Sequence, residues 1–116
     1  MRRTLVTTGL FFVFALVSSA GIATAQDAAL VKKGQEVYTA QKCSMCHSIA
    51  GKGGKSSPLD GVGAKLSAAD IKAWIVTPTE AAAKAKSTKK PPMTAKYGKL
   101  PAADMDALVA YMQSLK

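Results

Sequence analysis

The chain is poor in the residues that build metal centres, with a single histidine and only two cysteines. A structural zinc site needs four ligands, and these three side chains cannot supply them. Arginine is absent after Arg3, and the basic residues are not interleaved with aromatic ones as in many nucleic-acid-binding proteins. The scarcity of His and Cys therefore excludes a Cys/His zinc site, and the lack of arginine argues against nucleic acid as a partner.

The chain also lacks the alternation of apolar and polar residues that is typical of strands, and it contains no long-period repeat. Without strands, a thioredoxin-like redox protein is disfavoured, because its Cys-x-x-Cys motif belongs to a βαβ context. Apolar residues at helical spacing are present instead. The pattern therefore predicts an all-α fold.

The first 25 residues have the composition of a secretory signal peptide. Arg2 and Arg3 form a positive start, residues 10–17 are apolar and uncharged, and Ala-Thr-Ala at 23–25 fits the small-x-small cleavage rule. An uncleaved membrane anchor is the alternative, since the apolar stretch reaches the ~20 residues that a membrane span needs. We predict cleavage after Ala25, export to the periplasm, and no stable membrane insertion afterwards.

Cleavage there leaves residues 26–116 as one small domain. These 91 residues carry fourteen lysines, no arginine and seven acidic side chains, a formal excess of seven positive charges. The hydrophobic core of so short a chain is marginal, and a buried cofactor or a covalent staple stabilises it. We expect a monomer organised around a cofactor.

Cys43-Ser44-Met45-Cys46-His47 is the most specific motif of the chain. A Cys-x-x-Cys-His run is the attachment site of a c-type haem. Two thiols three positions apart on a short helical turn can each add to one vinyl group of the haem, and the next residue, His47, then lies under the iron as a ligand. The alternative for the same cysteines is a redox dithiol or disulfide.

With this motif the chain resembles the class I c-type cytochromes, over most of residues 28–116. The resemblance implies a cytochrome c-like fold of three to five helices around one covalently attached haem, with residues 26–116 as a mono-haem domain. It also implies that Cys43 and Cys46 carry haem c and that His47 binds its iron.

Apolar residues at helical spacing predict a first helix from Asp27 to about Lys42 and a last helix near the C-terminus. The last helix contains Met105, Leu108, Val109, Met112 and Leu115. In the resembling family the first and last helices cross closely at a small residue. The resemblance implies that Gly34 and Tyr38 meet Leu108 and Tyr111.

Ser67-Ala68-Ala69-Asp70 has the pattern of a capping box, which predicts the start of a further helix that stops before Pro78. This helix carries Trp74, the only tryptophan. Packing in the core would explain a buried tryptophan. In the resembling family an aromatic residue from this region packs on the haem and donates its indole N–H to a propionate, and Trp74 is the candidate for that role.

The loop of residues 49–66 is rich in glycine, serine and lysine, and it contains Pro58-Leu59-Asp60-Gly61-Val62. This stretch resembles the Pro-x-Leu-x-Gly-Val sequence of small bacterial cytochromes, although Pro58 and Leu59 are adjacent here. In that family the proline carbonyl accepts a hydrogen bond from the second nitrogen of the iron-binding imidazole, which fixes its tautomer. The resemblance assigns this role to Pro58. The alternative is an ordinary turn proline.

Met93 is the candidate for the second iron ligand. A second histidine is excluded because His47 is the only one in the chain. Met45 lies inside the attachment motif, and Met105 and Met112 have core spacing on the last helix. Met93 lies in a Pro-Pro-Met-Thr segment 46 residues after His47, an order that matches the class I arrangement. His/Met ligation fills the coordination sphere and favours one-electron transfer over catalysis, whereas a loop methionine without this role would fill a gap in the core.

Lysines cluster on both sides of the predicted ligands. Residues 80–90 form a basic, low-complexity segment, Lys96 and Lys99 follow it, and three more lysines, at positions 42, 52 and 55, flank the attachment motif. The simplest interpretation is a solvated surface. Alternatively, these lysines surround an exposed haem edge and steer redox partners with acidic docking surfaces.

Together these features predict an exported electron carrier that cycles between Fe(III) and Fe(II), and not an enzyme. Three alternatives stay open. The first is the small cytochrome subunit of a larger exported oxidoreductase. The second is a haem sensor or peroxidase-like protein with a labile Met93 bond. The third is a thiol-disulfide protein without haem.

Overall fold

The computed structural model describes residues 20–116, with side chains from residue 27 onward. Within this region it has five α-helices: α1 Ala20–Ala40, α2 Val62–Lys65, α3 Ala68–Val76, α4 Pro78–Lys84 and α5 Ala102–Ser114. Two 3₁₀ helices span Cys43–Met45 and Ala95–Lys99. The predicted helical fold class is confirmed. No helix of residues 20–116 is both long enough and apolar enough to cross a membrane. The predicted signal peptide lies outside the described residues except for 20–25, and it stays a prediction.

A small three-stranded sheet follows the attachment motif. Its strands are β1 His47–Ile49, β2 Lys52–Gly53 and β3 Ser57–Pro58, in the order β2-β1-β3. β1 is antiparallel to β2 and parallel to β3. The sequence pattern predicts no strands, and this expectation is wrong for residues 47–58. Strands of two or three residues are too short to show alternation, and the path of the loop brings them together.

The crossing of α1 and α5 matches the predicted contact between the first and last helices. A Cβ at Gly34 would overlap the carbonyl of Ala107 and lie 2.6 Å from the Cβ of Tyr111. Tyr38 and Tyr111 pack edge to face, with ring centroids 5.7 Å apart and an interplanar angle of 73°. Leu108 is buried at the same interface. The helices therefore cross where only a glycine fits.

The core is formed mainly by α1, α3 and α5. Its buried residues are Val37, Tyr38, Ile71, Ile75, Met105, Leu108, Val109 and Met112. Among the described residues no large side chain is completely buried. Half-buried apolar side chains pack around this cluster, including Cys43, Ile49, Leu59, Leu66, Met93, Tyr97 and Leu100. The core is therefore thin, as expected for so short a chain.

α3 begins at the predicted capping box. Ser67 Oγ accepts a hydrogen bond from the Asp70 N–H at 3.1 Å and donates one to Asp70 Oδ2 at 2.8 Å. α3 ends at Val76, before Pro78, as predicted. Pro78 then starts α4, a position where a missing N–H costs little. α4 is not predicted by the sequence pattern, because its Ala-rich and Lys-containing residues merge into the low-complexity segment that follows.

Candidate haem site

The two cysteines of the motif lie one helical turn apart. The N–H of Cys46 donates to the carbonyl of Cys43 at 3.2 Å, which closes the 3₁₀ turn. Both cysteines are free. Cys43 is half-buried against the core and Cys46 is exposed, and burial raises the pKa of the Cys43 thiol. One thiol therefore borders the apolar interior and the other borders solvent.

Two glycines allow the following loop to pack directly on the backbone of the motif. A Cβ at Gly53 would overlap the carbonyl of His47, and a Cβ at Gly54 would overlap the carbonyl of Met45. Gly53 also has a φ of 112°, which other residues rarely adopt. The N–H of Gly54 donates to the carbonyl of Ser44 at 2.8 Å. The loop therefore holds the motif in place from one side.

The imidazole of His47 is held through one of its two nitrogens. Nδ1 lies 2.9 Å from the carbonyl oxygen of Ser57. Because a carbonyl can only accept a hydrogen bond, Nδ1 is the donor, and in the neutral ring with this tautomer the lone pair is on Nε2. A hydrogen bond of this kind orients a metal-binding imidazole and increases its basicity. The structure therefore leaves Nε2 of His47 as the nitrogen suited to bind iron.

The assignment of Pro58 as the hydrogen-bond acceptor is wrong by one residue. In the parallel pairing of β1 and β3, His47 lies opposite Ser57 and Ser48 lies opposite Pro58, so the carbonyl of Ser57 meets the imidazole. The family pattern places its proline two residues before the leucine, and the residue two positions before Leu59 is Ser57. The adjacency of Pro58 and Leu59 was the signal for this shift, because a backbone carbonyl can come from any residue.

The carbonyl of His47 has a contact that sequence reasoning missed. The hydroxyl of Tyr38 donates to this carbonyl at 3.3 Å. Tyr38 is buried, and this burial raises the pKa of Tyr38 to about 12, so the hydroxyl keeps its proton at neutral pH. No local pattern indicates the contact, since it joins α1 to β1 across the intervening turn.

The four methionines that were compared as candidates for the second iron ligand differ in their environments. Met45 is 75% exposed, whereas Met105 and Met112 are buried in the core. Met93 is half-buried and packs against the core from the segment between α4 and the Ala95–Lys99 helix. It therefore lies at the edge of the core, but its bond to iron stays a prediction.

Trp74 is half-buried on α3, between the two buried residues Ile71 and Ile75. Trp74 is not among the half-buried side chains that pack against the buried core cluster. Its contact with a haem propionate stays a prediction.

The residues around the motif fit a haem. Cys43 and Met93 both pack against the apolar core, and Cys46 and His47 follow Cys43 within the same motif. Apolar side chains beside two thiols, an imidazole and a thioether suit a flat apolar macrocycle. Over residues 20–116, no three His, Cys, Asp or Glu side chains are grouped to hold a metal ion by themselves.

Comparison with known families supports this interpretation. The cytochrome c family model matches residues 31–116. Neither the curated proteins nor the solved structures yield a match. The matched region begins in α1 and contains the attachment motif, the loop that holds His47, the Met93 segment and all of α5. Because this match spans most of the sequence, the chain belongs to the cytochrome c family.

Proposed function

We propose that this protein is a periplasmic one-electron carrier with one haem c, bound through Cys43 and Cys46 and ligated by His47 and Met93. Membership of the cytochrome c family supports haem-based electron transfer. The proposal that His47 binds the iron rests on the hydrogen bond between His47 Nδ1 and the carbonyl of Ser57. His47 directly follows Cys46 in the motif, and both of its cysteines are free. The hydrogen bond leaves Nε2 as an iron ligand in a fixed orientation.

The haem, when bound, supplies the reversible Fe(III)/Fe(II) exchange. The residues of the chain determine the ligands of the iron, its reduction potential and its access to water. His47 and Met93 would both hold the iron, which would leave no open position for a substrate. A thioether is a soft, neutral ligand that favours Fe(II) and raises the reduction potential relative to two histidines. The half-buried apolar side chains keep water away. Together these properties favour outer-sphere transfer of one electron.

The lysines on both sides of Met93 support a docking role with acidic redox partners. Lys84, Lys86, Lys89, Lys90, Lys96 and Lys99 are all exposed. Exposed ammonium groups attract a negatively charged surface and raise the rate of encounter without forming a permanent complex. We therefore propose a monomer that meets its partners transiently.

Mass spectrometry of the purified protein tests covalent attachment and export together. We expect a chain that begins at residue 26 and carries the mass of one haem after extraction with acidified acetone. Cys43→Ala and Cys46→Ala should each lose one thioether bond, and the double variant should retain no haem after extraction. Ser44→Ala, which changes the same turn without removing a thiol, is the control. A wild-type mass equal to the bare polypeptide would contradict the proposal.

The absorbance of the reduced protein separates an electron carrier from a sensor or a peroxidase-like protein. With both axial positions occupied, reduced protein should bind carbon monoxide slowly or not at all. Rapid binding of carbon monoxide by the wild type would show an open iron site, and the carrier function would then be rejected.

A further inference from the structure

Contacts from separate elements converge on His47. β3 holds the ring, since the carbonyl of Ser57 lies 2.9 Å from Nδ1. α1 holds the main chain, since the hydroxyl of Tyr38 donates to the His47 carbonyl at 3.3 Å. The backbone of Gly53 passes so close to this carbonyl that a Cβ there would overlap it. The ring and the main chain of His47 are therefore held by different elements, the ring by β3 and the main chain by α1.

Tyr38 also belongs to the crossing of α1 and α5. Its ring is buried and packs edge to face on Tyr111 of α5. The close approach of the two helices at Gly34 leaves the ring little room to shift. The helix crossing therefore sets the position of the Tyr38 hydroxyl. Through its hydrogen bond, this hydroxyl restrains the backbone of His47.

We propose that Tyr38 is a positioning residue for the iron ligand, whose hydroxyl keeps β1 in register with β3 so that His47 retains its bond to Ser57. The proposal rests on the proposed function, in which His47 binds haem iron. Without the hydroxyl, β1 moves more freely and the bond from Nδ1 to Ser57 weakens. A less firmly held imidazole is a less basic ligand, which favours Fe(II) over Fe(III).

A pair of tyrosine variants tests this role in the haem-containing protein. Tyr38→Phe keeps the aromatic packing and removes the hydroxyl that contacts His47. Tyr111→Phe removes a hydroxyl from the other ring of the same pair and is the matched control. Solvent exchange of the His47 Nδ1 proton is measured by NMR, together with that of the Leu59 amide, which donates to the Ser48 carbonyl at 2.8 Å. The reduction potential is measured on the same samples.

We expect Tyr38→Phe to accelerate both exchange rates by about two- to tenfold, the range for loss of one hydrogen bond, and to shift the reduction potential upward. Tyr111→Phe should leave the exchange rates and the potential unchanged. If both variants change these readouts equally, Tyr38 acts only through packing and the proposal is overturned. It is also overturned if Tyr38→Phe changes none of them.

A further variant keeps the test decisive. Replacing Tyr38 with 3-fluorotyrosine strengthens the hydroxyl as a donor and should shift exchange and potential in the opposite directions, which covers the case in which Tyr38→Phe does not fold. If the protein contains no haem, the proposed function fails by itself. The exchange rate of the Leu59 amide still reports whether the Tyr38 hydroxyl stabilises the pairing of β1 and β3.

Discussion

Met45 and Met93 carry the same thioether in different surroundings, and at the residue scale these surroundings decide what each can do. Met45 is 75% exposed on the attachment turn, where its N–H donates to the carbonyl of Lys42 at 3.1 Å. Met93 is half-buried against the core. A thioether competes poorly with water for iron when solvent reaches the metal freely. Met93 is therefore the better placed of the two to act as a ligand.

Met93→Ala should change the iron site and leave the fold largely intact. We expect loss of the weak far-red absorption band of a ferric iron–Met bond, a lower reduction potential, and new binding of carbon monoxide. The potential falls because water or a nearby lysine is a harder ligand that favours Fe(III). Met45→Ala is the control and should preserve all three properties. A Met93→Ala protein with an unchanged band and potential would assign the ligand to another residue.

At the scale of elements, the crossing of α1 and α5 organises the site. It joins the two ends of the domain and supports Tyr38, whose hydroxyl contacts His47. A salt bridge between Lys33 and Asp104, with Nζ 3.0 Å from Oδ1, connects the same helices. Both side chains are partly exposed to solvent, so the pair contributes at most ~1 kcal/mol. The fit at Gly34 therefore matters more to the crossing than the charges do.

Gly34→Ala tests the closeness of this crossing by thermal or urea unfolding. In an exposed helix, alanine stabilises relative to glycine by ~1 kcal/mol. Here the new Cβ would overlap a backbone carbonyl of α5, and overpacking of this kind costs about 1–3 kcal/mol. We expect net destabilisation. Gln35→Ala, at the exposed neighbouring position of α1, should change stability by less than ~0.5 kcal/mol. A neutral or stabilising Gly34→Ala would contradict so close a crossing.

At the scale of the whole molecule, positive charge dominates. The chain has a formal net charge of +9 at pH 7. Two of its few carboxylates lie near lysines of the described region, Asp104 near Lys33 and Asp70 near Lys84. Most lysines are exposed, and many of them lie on the segment around Met93. The electrostatic field of the molecule therefore attracts negatively charged groups.

Salt should slow electron transfer to an acidic redox protein. The screening length falls from ~30 Å at 0.01 M to ~3 Å at 1 M ionic strength, so steering by exposed lysines is lost. In stopped-flow experiments, Lys89→Glu with Lys90→Glu should lower the second-order rate several-fold at low salt. Lys32→Glu with Lys72→Glu makes the same change of charge on α1 and α3 and should lower it less. If the rates do not depend on salt, or are equal in the two variants, the lysines around Met93 form an ordinary solvated surface and do not steer redox partners.

The sequence by itself determined the helical fold class, the attachment motif and the capping box of α3. These features depend on residues that are close in the chain or repeat at helical spacing. The approach of α1 to α5 at Gly34 followed from the family resemblance and not from the spacing alone. Cys43, Cys46 and His47 lie within five consecutive residues, so the motif can be recognised without knowledge of the rest of the fold.

Only the tertiary structure decided that Ser57, and not Pro58, holds the imidazole, and that Tyr38 contacts the carbonyl of His47. It also decided that residues 47–58 form a sheet. The groups concerned are mostly backbone carbonyls, which every residue possesses, so the residue types do not show which carbonyl accepts. Only the spacing of Pro58 from Leu59 indicated the shift to Ser57. Which carbonyl meets a given donor depends on the register of β1 against β3 and on the path of α1, and both are properties of the folded chain.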